Sequence, residues 1–355
     1  MRVLVLPRYS ALGSSSRTRF YQYVPYLKSC GIELQVMPLL GDEYIRALYF
    51  MKKQPVLSVT LGYLSRFAAQ LQARSYDLLW IEKELFPWLP AWAEILLARR
   101  SIPYVIDYDD AVYHRYDLHR DPLIRAFLGK SIAIAMQHAT TVVVGNEYLA
   151  EYARRAGAHK IEYLPTVVNM DRYPIGEKQS TQFRICWIGS PITAPYLELI
   201  KDALGEACQQ TQARMVLIGA GDRDPLPGLE KDNLIWSEES EVADIQSCDV
   251  GIMPLPDEPF TRGKCGYKLV QYMAAGLPVV ASPVGINTRI VEQGKTGFLV
   301  SNKEEWVHAL ITLCHDARMR SSMGKLGRQK VETEYSMQIT APRLLHILTK
   351  ASATK

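Results

Sequence analysis

PLPDEPFTRGKCGYKLVQYMAAGLPVVASPVG, residues 254–285, is the stretch whose reading decides the fold. A polar loop with prolines and an acidic pair (Asp257, Glu258) runs into Arg262-Gly263-Lys264. The apolar spacing at Leu269, Val270, Tyr272, Met273 and Ala274 predicts a short helix, which Gly276 stops. LPVVAS then reads as a buried strand. A helix start carries unpaired N–H groups and the positive end of the helix dipole. Gly263 and Gly266 let a ligand approach the backbone, and Arg262, Lys264 and Lys268 place three cations around one turn. That order predicts an anion site suited to phosphate.

Working outward, the same alternation of strand and helix fills the second half of the chain. FRICWIG, ARMVLIGAGD, NLIWSEES, DVGIMPL and TGFLV read as strands, with helices between them and at 303–316, 318–332 and about 337–350. The first half repeats the pattern. RVLVL, IELQVMPLL, YDLLWIEKE, IPYVIDYDD, ATTVVVGN and KIEYLPTVVN are its strands. Its helices are expected over 17–29, 42–75 (divided by Pro55), 91–100, 121–138 and 147–156. YPIGEKQSTQ, 173–182, is polar and holds Pro and Gly, so it is read as a linker. Two such sets predict two doubly wound α/β domains, 1–172 and 183–335, with the ligand site beyond the carboxyl ends of the strands in the cleft where the domains face each other.

Composition narrows the function. At 355 residues two domains are the default. No window of 18 uncharged apolar residues occurs, and MRVLVLPRYS is too short an apolar run for a signal peptide. Six scattered cysteines without CxxC argue against a disulfide framework or a zinc site and fit a reducing, cytoplasmic location. Residues 1–172 carry 21 Lys+Arg against 16 Asp+Glu, while the remainder carries 20 against 21. That imbalance suits an anionic acceptor or membrane surface, but it forms no dense basic stripe, so nucleic acid is not an expected partner.

The run KCGYKLVQYMAAGLPVVASPVG resembles the donor-site helix of the family 4 (group 1) retaining glycosyltransferases. WIGSPITAPYLELI, VLIGAGD, CDVGIMPL, GKTGFLV and VETEYSM resemble further family segments in the family's order. The resemblance implies the GT-B fold, two Rossmann-like domains around a central cleft. Residues 1–172 would form the acceptor-side domain, 183–335 the nucleotide-sugar domain and 336–355 a helix crossing back to the first. It implies transfer of a sugar from a nucleotide sugar to an acceptor hydroxyl, with retention and without a metal cofactor.

Site residues carry over one by one. Gln271 stands where the family has the second Glu of an E-x7-E pair, and Gly263 where it has the first. The Arg/Lys pair that the family often has after the first strand of its second domain is replaced by Gly189-Ser190-Pro191, so the diphosphate charge falls to Arg262, Lys264 and Lys268. Gly189, Ser190, Gly263, Gly266, Gln271 and Tyr272 are the other donor-binding candidates there. In the first domain Gly13 and Ser14 match the family's glycine-rich loop, where Ser15, Ser16 and Arg17 are further candidates and Ser16 reads equally as a helix cap. Asp109 stands at the family's sugar-contacting histidine, with Asp110 beside it, and is assigned as catalytic with Arg262 and Lys264. Asp107, Asp109 and Asp110 also resemble a magnesium site, and His114 is either a site residue or a structural or surface one.

The missing carboxylates leave a second reading, a non-catalytic sugar-nucleotide-binding subunit. For the acceptor, a saccharide or lipid-linked saccharide is expected, in cell-surface polysaccharide or glycolipid synthesis. The basic, aromatic helices at 44–67 and the Phe86-Pro87-Trp88 turn either meet the inner face of the membrane, making the enzyme peripheral, or line the core or the cleft.

Overall fold

The computed structural model describes residues 1–49, 53–176 and 182–354. Phe50, Met51, Lys52 and residues 177–181, half of the expected linker, lie outside them. The chain forms two compact units. The first comprises Met1–Thr166, Arg262–Cys265 and Thr340–Lys355, and the second Val167–Thr261 and Gly266–Ile339.

In the first unit β1 (Arg2–Leu6), β2 (Glu33–Val36), β3 (Leu78–Glu82), β4 (Tyr104–Tyr108), β5 (Thr141–Val144) and β6 (Ile161–Tyr163) pair in the order β2-β1-β3-β4-β5-β6. In the second, β7 (Arg184–Ile188), β8 (Arg214–Ile218), β9 (Lys231–Leu234), β10 (Val250–Met253), β11 (Val279–Ala281) and β12 (Gly297–Leu299) pair as β12-β11-β10-β7-β8-β9. Every pairing is parallel. Helices cover both faces of such sheets, so central strands are buried along their whole length rather than alternating, and LLWIE, YVIDY and TVVV are buried at every position, Glu82 and Asp107 included. Strand order reverses between β1 and β3 in one unit and between β7 and β10 in the other, which fixes where a ligand crevice opens in each.

Several elements differ from expectation. The helix expected at 17–29 is two pieces, Ser14–Arg19 and Val24–Ser29, joined through a 3-10 turn. Pro25 stands in the first turn of the second piece, where its missing N–H leaves no bond unmade. Ser16 does not cap a helix. Its hydroxyl donates to Glu82 and accepts from the Tyr9 N–H, and Gly13 occupies the cap position. The helical stretch at 42–75 divides at Pro55 as expected, with Asp42–Tyr49 before it and Val56–Leu71 after it, whereas that at 121–138 resolves into Pro122–Leu128 and Ser131–His138. The C-terminal helix, Met337–Ser352, packs with the first unit from Thr340 onward. Thr340 Oγ1 lies 2.9 Å from Tyr23 Oη, and Arg343 donates to the Tyr163 carbonyl at 2.7 Å.

One buried carboxyl in the first core is set by packing alone. Glu94 accepts from the Leu85 N–H at 2.9 Å. Burial pushes its pKa up from 4.5 to about 7, against the pull of backbone N–H groups and Arg66. Between those two values the folded protein holds a proton that the unfolded chain has released, so this group's contribution to stability falls as pH rises through that window. Glu94→Gln keeps the acceptor and removes the ionisation. It is expected to match the wild type near pH 4.5 and to exceed it by up to ~3 kcal/mol at pH 8, read from urea unfolding at the two pH values.

Candidate functional site

The carboxyl ends of β1, β3 and β4 carry most of the charge of the first unit's interior. Glu82, the last residue of β3, is buried. Its Oε2 accepts from the Arg8 N–H at 2.7 Å and from Ser16, which ties down the loop that follows β1. Gly13 ends that loop with no room for a side chain, since a Cβ there would stand 2.5 Å from the Cβ of Tyr9. Asp107 on β4 pairs with Arg19 at 2.8 Å, and Arg19 also donates to the Leu164 carbonyl. Burial pushes the Asp107 carboxyl up to about 6 while Arg19 pulls it down.

Lys83 stands at the centre of this group. It is buried, it is not a glycine, and its φ is +63°. That left-handed conformation costs an L-residue about 1–2 kcal/mol, so the surroundings must hold it. Its N–H donates to the Asp107 carbonyl at 3.0 Å. Its Nζ lies 2.9 Å from Asp109 Oδ1, 3.0 Å from Ser15 Oγ, 3.8 Å from Glu82 Oε1 and 3.9 Å from Asp110 Oδ2. Burial pulls the ammonium pKa down, and Asp109, Asp110 and Glu82 more than offset it, so Lys83 stays protonated.

Burial raises the Asp109 pKa too, but Lys83 and the Ser15 hydroxyl, which donates to Oδ2, carry it below the usual carboxylate range. Both oxygens of Asp109 are thus engaged inside the protein. Asp110 differs. Its side chain is 27% exposed, Lys83 and Lys264 stand 3.9 Å from its two oxygens, and no hydrogen bond to that carboxylate is found among the described residues.

Arg262–Cys265, which the sequence order puts in the second domain, packs with this group. Asn146 Nδ2 donates to the carbonyls of Gly263 (2.8 Å) and Lys264 (3.1 Å), and a Cβ on Gly145 would meet the sulfur of Cys265 at 2.2 Å. The close approach that Gly263 permits is to Ala111, whose Cβ would lie 2.4 Å from one added there, and not to a ligand. Lys264 therefore turns toward Asp110, and Arg262 is exposed near Tyr148.

Lys268 belongs to the second unit. Its Nζ sits 4.0 Å over the Trp187 ring and 3.4 Å from Thr193 Oγ1. The three cations expected around one turn are thus divided between two units, because the left-handed Gly266 (φ +66°) starts the helix Tyr267–Ala274 and packs against Ile290.

Beyond β7, Gly189 leaves the space that a Cβ would take from Trp187 and Lys268. The N–H groups of Gly189 and Ser190 are already bonded, to the Ile218 carbonyl and to Thr193 Oγ1. Tyr272 is a core residue. Its hydroxyl accepts from the Ile188 N–H at 2.9 Å and donates to the Ile252 carbonyl at 3.3 Å, joining the two strands at the point where the order reverses. Gly251 exists because its Cβ would fall 2.1 Å from that ring. Gln271 is buried beside Tyr173.

Ser14, Asp257 and Glu258 are exposed. His114 is held between Asp117 and Tyr148, each at 2.9 Å, as a structural residue. Among the described residues no group of three or more His, Cys, Asp or Glu is arranged to hold a metal ion. With Asp107 committed to Arg19 and Asp109 to Lys83, the three aspartates do not form such a set. Sequence reasoning passed over Lys83, Arg19, Trp187 and Thr193. Only Lys83 left a signal, as the cation of Glu-Lys-Glu closing a buried strand.

Residues 3–166 match the model of a glycosyl transferase 4-like domain, and residues 182–316 that of glycosyl transferases group 1. Together they span most of the chain. The chain belongs to the group 1 glycosyltransferases. Across 93% of its length it is 23% identical to the sulfoquinovosyl transferase SQD2 of Arabidopsis thaliana, covering 69% of that protein. Two further curated relatives, the spore coat protein SA of Bacillus subtilis and a D-inositol 3-phosphate glycosyltransferase of Paenarthrobacter aurescens, match over 81 and 98 residues at 31% and 36% identity, and the chain spans 22% of the length of each. Two solved structures have the same GT-B fold. Sucrose-phosphate synthase from Thermosynechococcus elongatus superposes with a TM-score of 0.76 at 17% identity, covering 100% of both chains. HepE from Anabaena, solved with UDP and glucose, superposes with a TM-score of 0.68 at 17% identity over 99% of this glycosyltransferase and 100% of that chain.

Proposed function

We propose that this glycosyltransferase takes a nucleoside-diphosphate sugar as donor and transfers the sugar, with retention and without a metal, to a hydroxyl of a saccharide or lipid-linked saccharide. A role in cell-surface polysaccharide or glycolipid synthesis follows from such an acceptor. The observation that carries the reading is Lys268, stacked on Trp187 beside Thr193 where the strand order of the second unit reverses. A cation fixed at that place suits a diphosphate, whose charge grows as the glycosidic bond breaks, so the attraction strengthens toward the transition state. In the first unit Asp110 supplies an acceptor for a sugar hydroxyl, and Lys83 and Lys264 balance its charge.

Gly263 packs on Ala111 and Gln271 is buried, so the family's two carboxylates have no replacement at those positions. That observation favours a second reading, a subunit that binds the donor without turning it over.

UDP-glucose is the first donor to test, because HepE was solved with UDP and glucose. GDP- and dTDP-sugars follow, with release of nucleoside diphosphate as the readout, EDTA expected to leave the rate unchanged, and the anomeric configuration of the product read by NMR. Lys268→Ala is expected to weaken nucleotide binding about tenfold by calorimetry, with the melting temperature preserved. Binding without turnover would favour the second reading. If no donor is bound, both readings fall.

A further inference from the structure

The helix Val56–Leu71 is inside out. Its one charged residue, Arg66, points inward and donates to the carbonyls of Pro7 at 2.6 Å and Met37 at 3.2 Å. Burial pulls its pKa down to about 10, with Glu82 opposing. Its leucines and Val56 point outward: Val56, Leu57, Leu61, Leu64 and Leu71 are each more than half exposed. Every exposed position of the helix is uncharged.

Phe67, itself exposed, joins this stripe to Trp92 (ring centroids 6.4 Å), and Trp92 stacks on Phe86 at 5.4 Å. In the same turn Trp88 is about half exposed although its φ is +63°, a conformation that a bulky residue adopts only where its surroundings impose it. A continuous exposed apolar patch of this kind marks an interaction surface.

The charge around the patch identifies what covers it. From Tyr44 to Tyr76 the sequence has no Asp or Glu, and apart from the inward-turned Arg66 its described cations are Arg46, Lys53 and Arg74. Lys53 and Arg74, just before and just after the helix, are exposed, and so is Arg46. A second copy seated two-fold on this face would set those cations against their own kind, whereas an anionic lipid surface meets them with opposite charge. Leucines that enter the acyl boundary, tryptophans at the headgroup level and cations at the helix ends are what an in-plane helix uses to hold a bilayer. Among the described residues no helix is long and apolar enough to cross a membrane.

We infer that the face formed by Val56–Leu71 and the Phe86–Trp92 turn docks the protein on an anionic membrane surface. The inference does not depend on the donor reading, since vesicle binding and sugar transfer are measured separately.

The test is co-sedimentation of the full chain with vesicles of phosphatidylcholine alone and of phosphatidylcholine with phosphatidylglycerol. Wild type is expected to bind the phosphatidylglycerol vesicles at low salt and to bind phosphatidylcholine alone much less. Leu57→Glu/Leu61→Glu/Leu64→Glu is expected to cut the bound fraction at least about tenfold. Quenching of wild-type tryptophan fluorescence by brominated phosphatidylglycerol reports docking without relying on the variant's folding. The inference is overturned by absence of wild-type binding at low salt, or by binding and quenching that the triple substitution leaves unchanged in a folded protein. It is overturned equally by a sedimentation-velocity dimer that the substitution abolishes while vesicles are ignored, which would give the face to a second copy.

Discussion

Lys83→Met is expected to lower stability by ~3–5 kcal/mol, the cost of removing one partner from a buried ion pair. Lys83 Nζ is the ammonium at 2.9 Å from Asp109, and Glu82 and Asp110 also stand within 4 Å of it. Without it, burial acts on Asp109 against only the Ser15 hydroxyl and Arg19, so the carboxyl takes up a proton more readily or remains as a poorly compensated buried charge. Relief of the left-handed backbone does not offset the loss, because methionine keeps the Cβ that strains it.

The sign of the pH dependence follows from the pair. Asp109 is held below its ordinary pKa of 3.8 in the folded protein. Its contribution is therefore present above that value and is lost as pH falls through the folded pKa. The penalty of Lys83→Met is accordingly largest at neutral pH and shrinks toward pH 3. Lys83→Met/Asp109→Asn is expected to recover a large part of the loss, since no unpaired charge remains. Urea unfolding of the four proteins of this cycle at pH 7 and pH 4 measures both effects. An additive cycle would mean that Lys83 and Asp109 are not coupled.

The second large effect concerns activity. Asp110→Asn is expected to reduce turnover about a hundredfold while moving the melting temperature by no more than about 2 °C. Asp109→Asn behaves in the opposite way. It leaves Lys83 without its nearest carboxylate, so stability falls. The distinction rests on what each carboxylate can still accept. Asp109 is occupied by Lys83 and Ser15, whereas Asp110 is partly open and has two ammonium groups at 3.9 Å, beyond hydrogen-bond length. Steady-state kinetics on the donor that the protein turns over, with melting curves of both variants, separates them. Full turnover by Asp110→Asn would remove it from the site.

The donor stretch shows how far a local pattern reaches. Its helix and strand fall at Tyr267–Ala274 and Val279–Ala281, as the apolar spacing and Gly276 require. What its cations do is a different matter. Lys264 and Lys268 are four residues apart, yet one faces Asp110 and the other Trp187, because Gly266 turns the chain between them. Tyr272, read as a donor contact, is a strut between β7 and β10, and its role depends on the absence of a side chain at Gly251.

By itself the sequence determined the two parallel sheets, the glycine and proline breaks between their elements, and the polar strand ends at which a crevice opens. Those features arise from contacts within a few residues or from the apolar runs that buried strands need. Only the tertiary structure decided which charges pair. Ser15 reaches Asp109 across 94 residues, Arg19 reaches Asp107 across 88, and Asn146 holds the Gly263 carbonyl across 117. It also turned Arg66 inward and the leucines of its helix outward. Burial makes a charge costly unless a partner meets it, and where that partner lies is a property of the fold that no local spacing records.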